Sequence, residues 1–332
     1  MKRLAAILAL SLSVAAFGQP AEFKLDASGN WASVPSAAPS ADQAVMYRAK
    51  SLLAEDKPAE AKRLLSDWIT DHAITESPQL AEAYRLRGDA KIAGGNEYKA
   101  LYDYEVVATD FAATQEFTLA IERELEIAIQ YVNGLKRRFL GMRIYGAEDV
   151  GQELLVRTAE RMPGSRLGER AIIELADYYY RDRDLKTAAI AYAKLVENYP
   201  RSSYASHAKQ RRIYSSIGLF KGPNYDAAGL NDARVLIEEY VKEDPVGAQR
   251  ADLSDAMLAK IDESTAAQRL EKARFYLRRG DPVSARATLR RLVTDHPRSV
   301  AAATGMQLMQ SKGWELPKKP ETPAAPAAEG SK

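Results

Sequence analysis

The sequence predicts an all-α fold, an α-solenoid of about six helical hairpins closed by a capping helix. Three observations carry that prediction. Ala, Leu, Arg, Glu and Lys, all good helix formers, dominate the chain, and β-branched runs are few. A small residue recurs six times with a bulky one four positions later, one helical turn on. Twelve positions after the same residue, four of the six copies place a proline, which cannot continue a helix.

The 332 residues are 46% apolar and 28% charged, the balance of an ordinary folded protein. A formal charge of +2 gives no basic excess, so nucleic acid is not the expected partner. At the N-terminus, Lys2 and Arg3 precede a run from Leu4 to Phe17 that is apolar apart from Ser11 and Ser13. Ala16-Phe17-Gly18 then puts small residues at the two cleavage positions, completing the pattern of a secretory signal peptide over 1–18. Fourteen apolar residues fall short of the ~20 that a spanning helix needs. The expected location is the periplasm or cell envelope. Residues 19–40, rich in Ala, Ser and Pro, are expected to form a flexible leader, and 314–332 a disordered tail.

The solenoid is placed at 41–313. Its anchors are Ala61, Ala100, Gly151, Ala188, Ala233 and Ala285, followed four positions on by Leu65, Tyr104, Leu155, Tyr192, Ile237 and Leu289. Twelve before the anchor, four copies show a second small residue: Ala49, Gly88, Ala176 and Ala273. Twelve after come Ala73, Ala112, Pro163, Pro200, Pro245 and Pro297. This is the tetratricopeptide (TPR) pattern. Small residues belong where two antiparallel helices cross closely, and the bulky one fills the gap beside the crossing. Asn96, Asp184 and Asp281 lie four before their anchors, where an N-cap is wanted. Pro58 and Pro282 lie three before, at the first helical position.

Anchor spacings of 39, 51, 37, 45 and 52 exceed the standard repeat, which is about 34 residues. The excess in the fifth repeat is assigned to a loop, Leu219 to Gly229, marked by Gly222-Pro223. That in the third is assigned to Gln115–Tyr145, where Gly134, Gly141 and Gly146 should break the helix. Before the sixth anchor, proline is absent from Val246 to Arg279, and a long helix is predicted there with a break at Ile261–Ser264. A final helix from Ser299 to Lys312 should cap the exposed end.

Catalytic chemistry is not expected. The sequence has no cysteine, hence no disulfide, thiol nucleophile or thiolate metal site. It contains no HExxH, P-loop, GxSxG or GxGxxG pattern. His72 and His296 share one repeat position at the end of a second helix, where the dipole favours them, and His207 reads as solvent-facing. No cofactor or metal is called for. Binding surfaces are the alternative. In Tyr178-Tyr179-Tyr180, Tyr179 shares its position with Tyr276 and is assigned to the core, leaving Tyr178 and Tyr180 to line a groove. Net charge is −5 over Glu238–Glu263 and +6 over Arg269–Arg298. Arg278, Arg279, Arg290 and Arg291 in the last repeat are therefore candidate docking residues, unless the acidic stretch pairs with them.

The segment AQRLEKARFYLRRGDPVSARATLRRLVTDHPRS, Ala267 to Ser299, resembles the last repeat of BamD-like outer-membrane-protein assembly factors. AIAYAKLVENYPRSSYASHA, Ala189 to Ala208, is similar to an earlier repeat of that family. The likeness covers residues 165–310. It implies an envelope scaffold of tandem TPR hairpins whose partners are barrel-assembly components or unfolded outer-membrane proteins. Members of the family usually carry a lipidated cysteine after the signal peptide. This sequence has no cysteine, so association with the outer membrane is expected through partners. The alternative is an adaptor for cell-wall or division machinery. Sequencing the exported protein from its N-terminus should begin at or near Gln19; persistence of residues 1–18 would make that segment an anchor.

Overall fold

The six anchors are sealed from solvent. Ala61, Ala100, Ala188, Ala233 and Ala285 are 0% exposed, as are Leu65, Tyr104, Leu155, Tyr192, Ile237 and Leu289 one turn later. Gly151 is buried too, and so are Ala49, Gly88, Ala176 and Ala273 on the preceding helices. The repeat register read from residue type is thus the register of the core.

The computed structural model describes residues 22–25, 31–34, 39–74 and 77–316. The chain divides into two units, Met1–Asn96 and Glu97–Lys332. The first holds an antiparallel ribbon, β1 (Glu22–Leu25) with β2 (Trp31–Val34), and helices α1 (Ala41–Ala54), α2 (Pro58–His72) and α3 (Leu80–Ala93). The second opens with α4 (Glu97–Asp110), α5 (Gln115–Val132), a ribbon of β3 (Arg137–Phe139) and β4 (Met142–Tyr145), and α6 (Glu148–Arg161). It continues through α7 (Arg166–Arg181), α8 (Leu185–Asn198), α9 (Ala205–Gly218), α10 (Ala228–Glu243) and α11 (Pro245–Arg250). Helices α12 (Asp255–Arg278), α13 (Pro282–Asp295) and α14 (Val300–Ser311) complete it.

Each anchor lies on the second helix of a repeat, giving the pairs α1–α2, α5–α6, α7–α8, α9–α10 and α12–α13, with α14 as the cap. The second repeat, α3 then α4, spans the boundary between the units. The predicted starts hold. Asp184 and Asp281 accept from the backbone N–H of Thr187 and Ser284 at 3.2 and 3.0 Å, and Pro58 and Pro282 open their helices.

The turn between paired helices has its own signature. Asp56, Gly95, Arg183 and Gly280 have φ of 57°, 72°, 67° and 76°, and each stands five before its anchor. Within the first unit at Asp56, and within the second at Arg183 and Gly280, this one left-handed residue reverses the chain between paired helices. In the third and fifth repeats the turn is replaced by insertions, and these are the two repeats lacking a small residue twelve before the anchor.

The insertions correct several expectations. In the third repeat Gln115–Val132 remains one helix, and the extra chain is the β3–β4 ribbon. A strand pair within 41–313 was not expected: three glycines were read as helix breaks, whereas Gly141, at φ 85°, turns a hairpin. In the fifth repeat the loop runs from Leu219 to Ala227, close to its predicted span. In the sixth, the long helix is present as α12, but it starts later than predicted and has no break. Pro245 opens the short α11, a turn follows, and α12 then runs through Ile261–Ser264 unbroken. Asp244 explains this restart, because its carboxylate accepts from Gly247 N–H at 2.8 Å and caps a new helix. Part of the leader expected to be flexible is the β1–β2 ribbon. Residues 1–18 and the tail from 317 lie outside the described residues.

Gly151 shows how tight a crossing becomes. A Cβ there would lie 2.9 Å from both the Ala128 carbonyl oxygen and Val132 Cγ1 on α5. The same hairpin buries charge. Glu124 on α5 is 1% exposed, and Arg161 on α6 bridges it to Glu105 on α4 at 3.3 and 2.6 Å. Burial pushes Glu124 up to about 7 although Arg161 pulls it down. One guanidinium shared by two carboxylates does not offset the desolvation of the deeper one, whose Oε1 has no partner. Glu105, hydrogen-bonded to Arg161, is held below the usual range.

Replacing Ala188 or Ala285 with Trp should lower stability by about 2 kcal/mol or more through overpacking. Unchanged melting temperatures in both variants would refute close crossings at these sites. Glu124 yields a pH dependence. Its folded-state pKa lies above the unfolded value of 4.5, so the stability it contributes is fully present below 4.5 and lost as pH rises through about 7. Glu124→Gln should flatten the fall in melting temperature between pH 5 and 7.5, and an undiminished slope would assign it to another group.

Candidate protein-binding surfaces

Tyr178 and Tyr180 stand on the last two turns of α7, the first helix of its repeat, and they meet different neighbours. Gln152 Nε2 on α6 donates to the Tyr178 hydroxyl at 3.1 Å. Tyr180 lies beneath the Arg211 guanidinium of α9 at 4.5 Å and meets Tyr192 edge-on at 6.4 Å. Both are half-buried, so the structure does not join them into one aromatic groove. Tyr179 and Tyr276, assigned to the core, are also half-buried. A phenol at the margin of a helix pair packs its ring and keeps its hydroxyl wet.

His207 was misread as an isolated solvent-facing side chain. Its Nε2 lies 3.1 Å from Asp177 Oδ1, which also accepts from the Tyr192 hydroxyl at 2.6 Å. Burial, with that carboxylate adding to it, drives the Tyr192 pKa upward. Three helices, α7, α8 and α9, meet in this polar cluster. His296, by contrast, ends α13 as expected and is buried, with Nδ1 2.7 Å from Asp262 Oδ1 on α12. His72 stacks on Trp68 with ring centroids 4.2 Å apart.

The candidate arginines are exposed, and they form two groups. Arg278 and Arg279 end α12. Arg278 borders two clefts: one of about 480 Å³ against α14, shared with Leu277, Thr304 and Leu308, and one of about 360 Å³ against the Leu219–Ala227 loop, floored by Phe275. Arg279 lies over the Phe275 ring at 5.4 Å, and that ring is 46% exposed. Arg290 projects from α13 beside Arg286, both within 4.0 Å of Glu315. It lies roughly 13 Å along the helix from the α12–α13 turn, at 1.5 Å per residue. Arg291 stands apart on α13 and, like Arg278, has no hydrogen bond or ion pair among the described residues.

Much of the acidic stretch is employed elsewhere. Glu243 pairs with Lys209, Asp262 with Arg234 and His296, and Glu263 caps α14 by accepting from Val300 and Ala301 N–H at 2.7 and 3.1 Å. None of the Glu238–Glu263 acids pairs with the four candidate arginines among the described residues.

A further surface escaped the sequence reading. Helices α8, α9 and α10 enclose a cleft of about 440 Å³ whose apolar wall includes Ile190 and Val235, exposed at 60% and 54%. A signal was available, because Tyr102, Ile190 and Val235 each stand two after an anchor, and Tyr102 is 62% exposed as well. Apolar residues at a repeat position that faces water are where a surface, and no core, selects the residue.

No group of His, Asp and Glu among the described residues is arranged to hold a metal ion, and no helix among them is long and apolar enough to cross a membrane. A family model described as YfiO, outer membrane lipoprotein, matches residues 151–322, just over half of the chain. The chain belongs to this family. The match runs from the third anchor through α14 and contains the whole 165–310 stretch in which the BamD-like resemblance was read. Outside it lie α1 to α5 and the β3–β4 ribbon, so the YfiO match begins inside α6. One solved structure, the C-terminal part of a TPR repeat-containing protein from Cytophaga hutchinsonii, is 14% identical, covering 80% of this chain and 88% of that chain at a TM-score of 0.38. No match is found among curated proteins. A YfiO-family chain folded into TPR hairpins is a protein-binding scaffold.

Proposed function

We propose that this protein is an exported, non-catalytic scaffold that assists outer-membrane protein assembly, and that its last repeat docks a partner in that machinery. The observation that carries the reading is the coincidence of family match and free charge. Residues 151–322 match the YfiO model, and within them Arg278 stands at the lip of two clefts and Arg279 lies over Phe275, with no acid of the Glu238–Glu263 stretch paired to either among the described residues. Guanidinium forks beside an exposed ring suit a partner surface bearing carboxylates next to an apolar side chain. Arg290 and Arg291 on α13, and Tyr178 and Tyr180 on α7, lie apart from that pair and are separate candidate contacts. Envelope residence is supported by the signal-peptide pattern of residues 1–18 and by the family's description.

The test is capture from crosslinked envelopes by full-length protein, wild type against Arg278→Glu with Arg279→Glu. Wild type should retain barrel-assembly components, and the folded double variant should retain several-fold less. The difference should shrink in high salt, where wild-type binding is already screened. Undiminished capture by a folded variant would remove α12 from the interface. Capture of cell-wall synthases in place of assembly components would favour the adaptor reading.

A further inference from the structure

Strand β4 of the ribbon is built inside out for a strand in water. A ribbon packed on helices ordinarily turns apolar residues inward and polar ones outward. Here Arg143 turns inward, pairing with Glu97 in the first turn of α4 and donating to the Lys136 carbonyl oxygen at 2.9 Å. Arg137 lies over the Tyr98 ring of α4 at 4.4 Å. These contacts fix the ribbon on the body of the second unit. The residues flanking Arg143 face away: Met142 is 61% exposed and Ile144 50%. Ile144 is the extra residue of a bulge, since Arg137 pairs with Tyr145 while Arg138 pairs with Arg143.

The apex is more unusual still. Leu140 is 84% exposed and held at φ 49°, next to Gly141 at 85°. Hairpin turns with two left-handed residues ordinarily take Asn or Asp before Gly, because those side chains tolerate the backbone and face water. Leucine there gains neither advantage. From Gly134 to Ala147 the chain has four bases, Lys136, Arg137, Arg138 and Arg143, and no acid. Lys136 and Arg138 are exposed at the foot of the ribbon.

We propose that the β3–β4 ribbon docks on an anionic lipid surface. Leu140 and Met142 enter the boundary between headgroups and acyl chains, and Lys136 and Arg138 meet lipid phosphates. An apolar tip with basic residues at its foot complements a surface that is apolar beneath and anionic at its rim. Tyr145, 51% exposed, sits where an aromatic ring suits the headgroup level. This contact is independent of the scaffold reading and lies outside the residues that match the family.

Full-length protein sedimented with sucrose-loaded vesicles decides the matter. Binding to phosphatidylethanolamine vesicles should rise as phosphatidylglycerol is added. Leu140→Asp with Met142→Asp should cut that binding tenfold or more without lowering the melting temperature. Each of Lys136→Glu and Arg138→Glu should reduce it roughly fivefold or more, at the affinity a basic residue gains near an anionic surface. Should the aspartates unfold the chain, Leu140→Asn serves instead, because the turn prefers it; it should melt no lower and bind less. Absence of sedimentation, equal sedimentation by a folded tip variant, or a tip variant that keeps vesicle binding while losing a protein partner would each overturn the proposal.

Discussion

Two helices can approach until their backbones nearly touch only where no side chain stands between them, and this requirement organises the whole repeat body. At Gly151 even one added carbon would collide with the opposite backbone. At the other anchors alanine is the largest side chain used, and each is fully buried. The residue one turn on is always large and always sealed, because the space beside a close crossing must be filled. Left-handed backbone five before the anchor then brings the second helix back at the right height. Arg183 and Asp56 accept that conformation without being glycine, at about 1–2 kcal/mol each. The crossing must therefore be worth more than the strain of reaching it.

Contacts dictated by local spacing were legible in the sequence; those depending on which helices become neighbours were not. Anchors, caps and closing prolines each express a rule acting within a dozen residues, so the hairpins and the cap α14 could be placed. The β3–β4 ribbon could not, because glycine marks a helix stop and a hairpin turn alike, and only the exposed Leu140-Gly141 apex separates them. The restart at Pro245 was missed for a related reason. Proline both ends one helix and opens another, and the choice rests with Asp244 capping Gly247. His207 illustrates the tertiary case: nothing near it in sequence announces Asp177, which reaches it from 30 residues away.

The candidate surfaces divide along the same line. The four candidate arginines are exposed on the last repeat, yet the chain separates them into Arg278 and Arg279 at the end of α12 and Arg290 and Arg291 on α13. The alternative that acids would neutralise them rested on charge counts alone. Glu263 is spent on the N-terminus of α14, and Asp262 on Arg234 and the buried His296. A carboxylate that caps a helix or holds a histidine has little left for a distant guanidinium.

A solenoid whose core repeats so strictly has few places in which to differ from its relatives. Anchor positions and the turn beyond them are fixed by packing, so variation is displaced to exposed helix positions and to the connections. That is where this chain departs from the repeat: a ribbon between α5 and α6, a loop between α9 and α10, and a short helix before α12. None disturbs an anchor, since all six stay buried. The two that replace an inter-helix turn also replace the left-handed residue five before the anchor that the others use. The ribbon displays apolar residues to water, and the loop walls a cleft at Phe275 and Arg278. Both features sit on the least constrained parts of a constrained fold, where residues are selected by what they meet outside the chain.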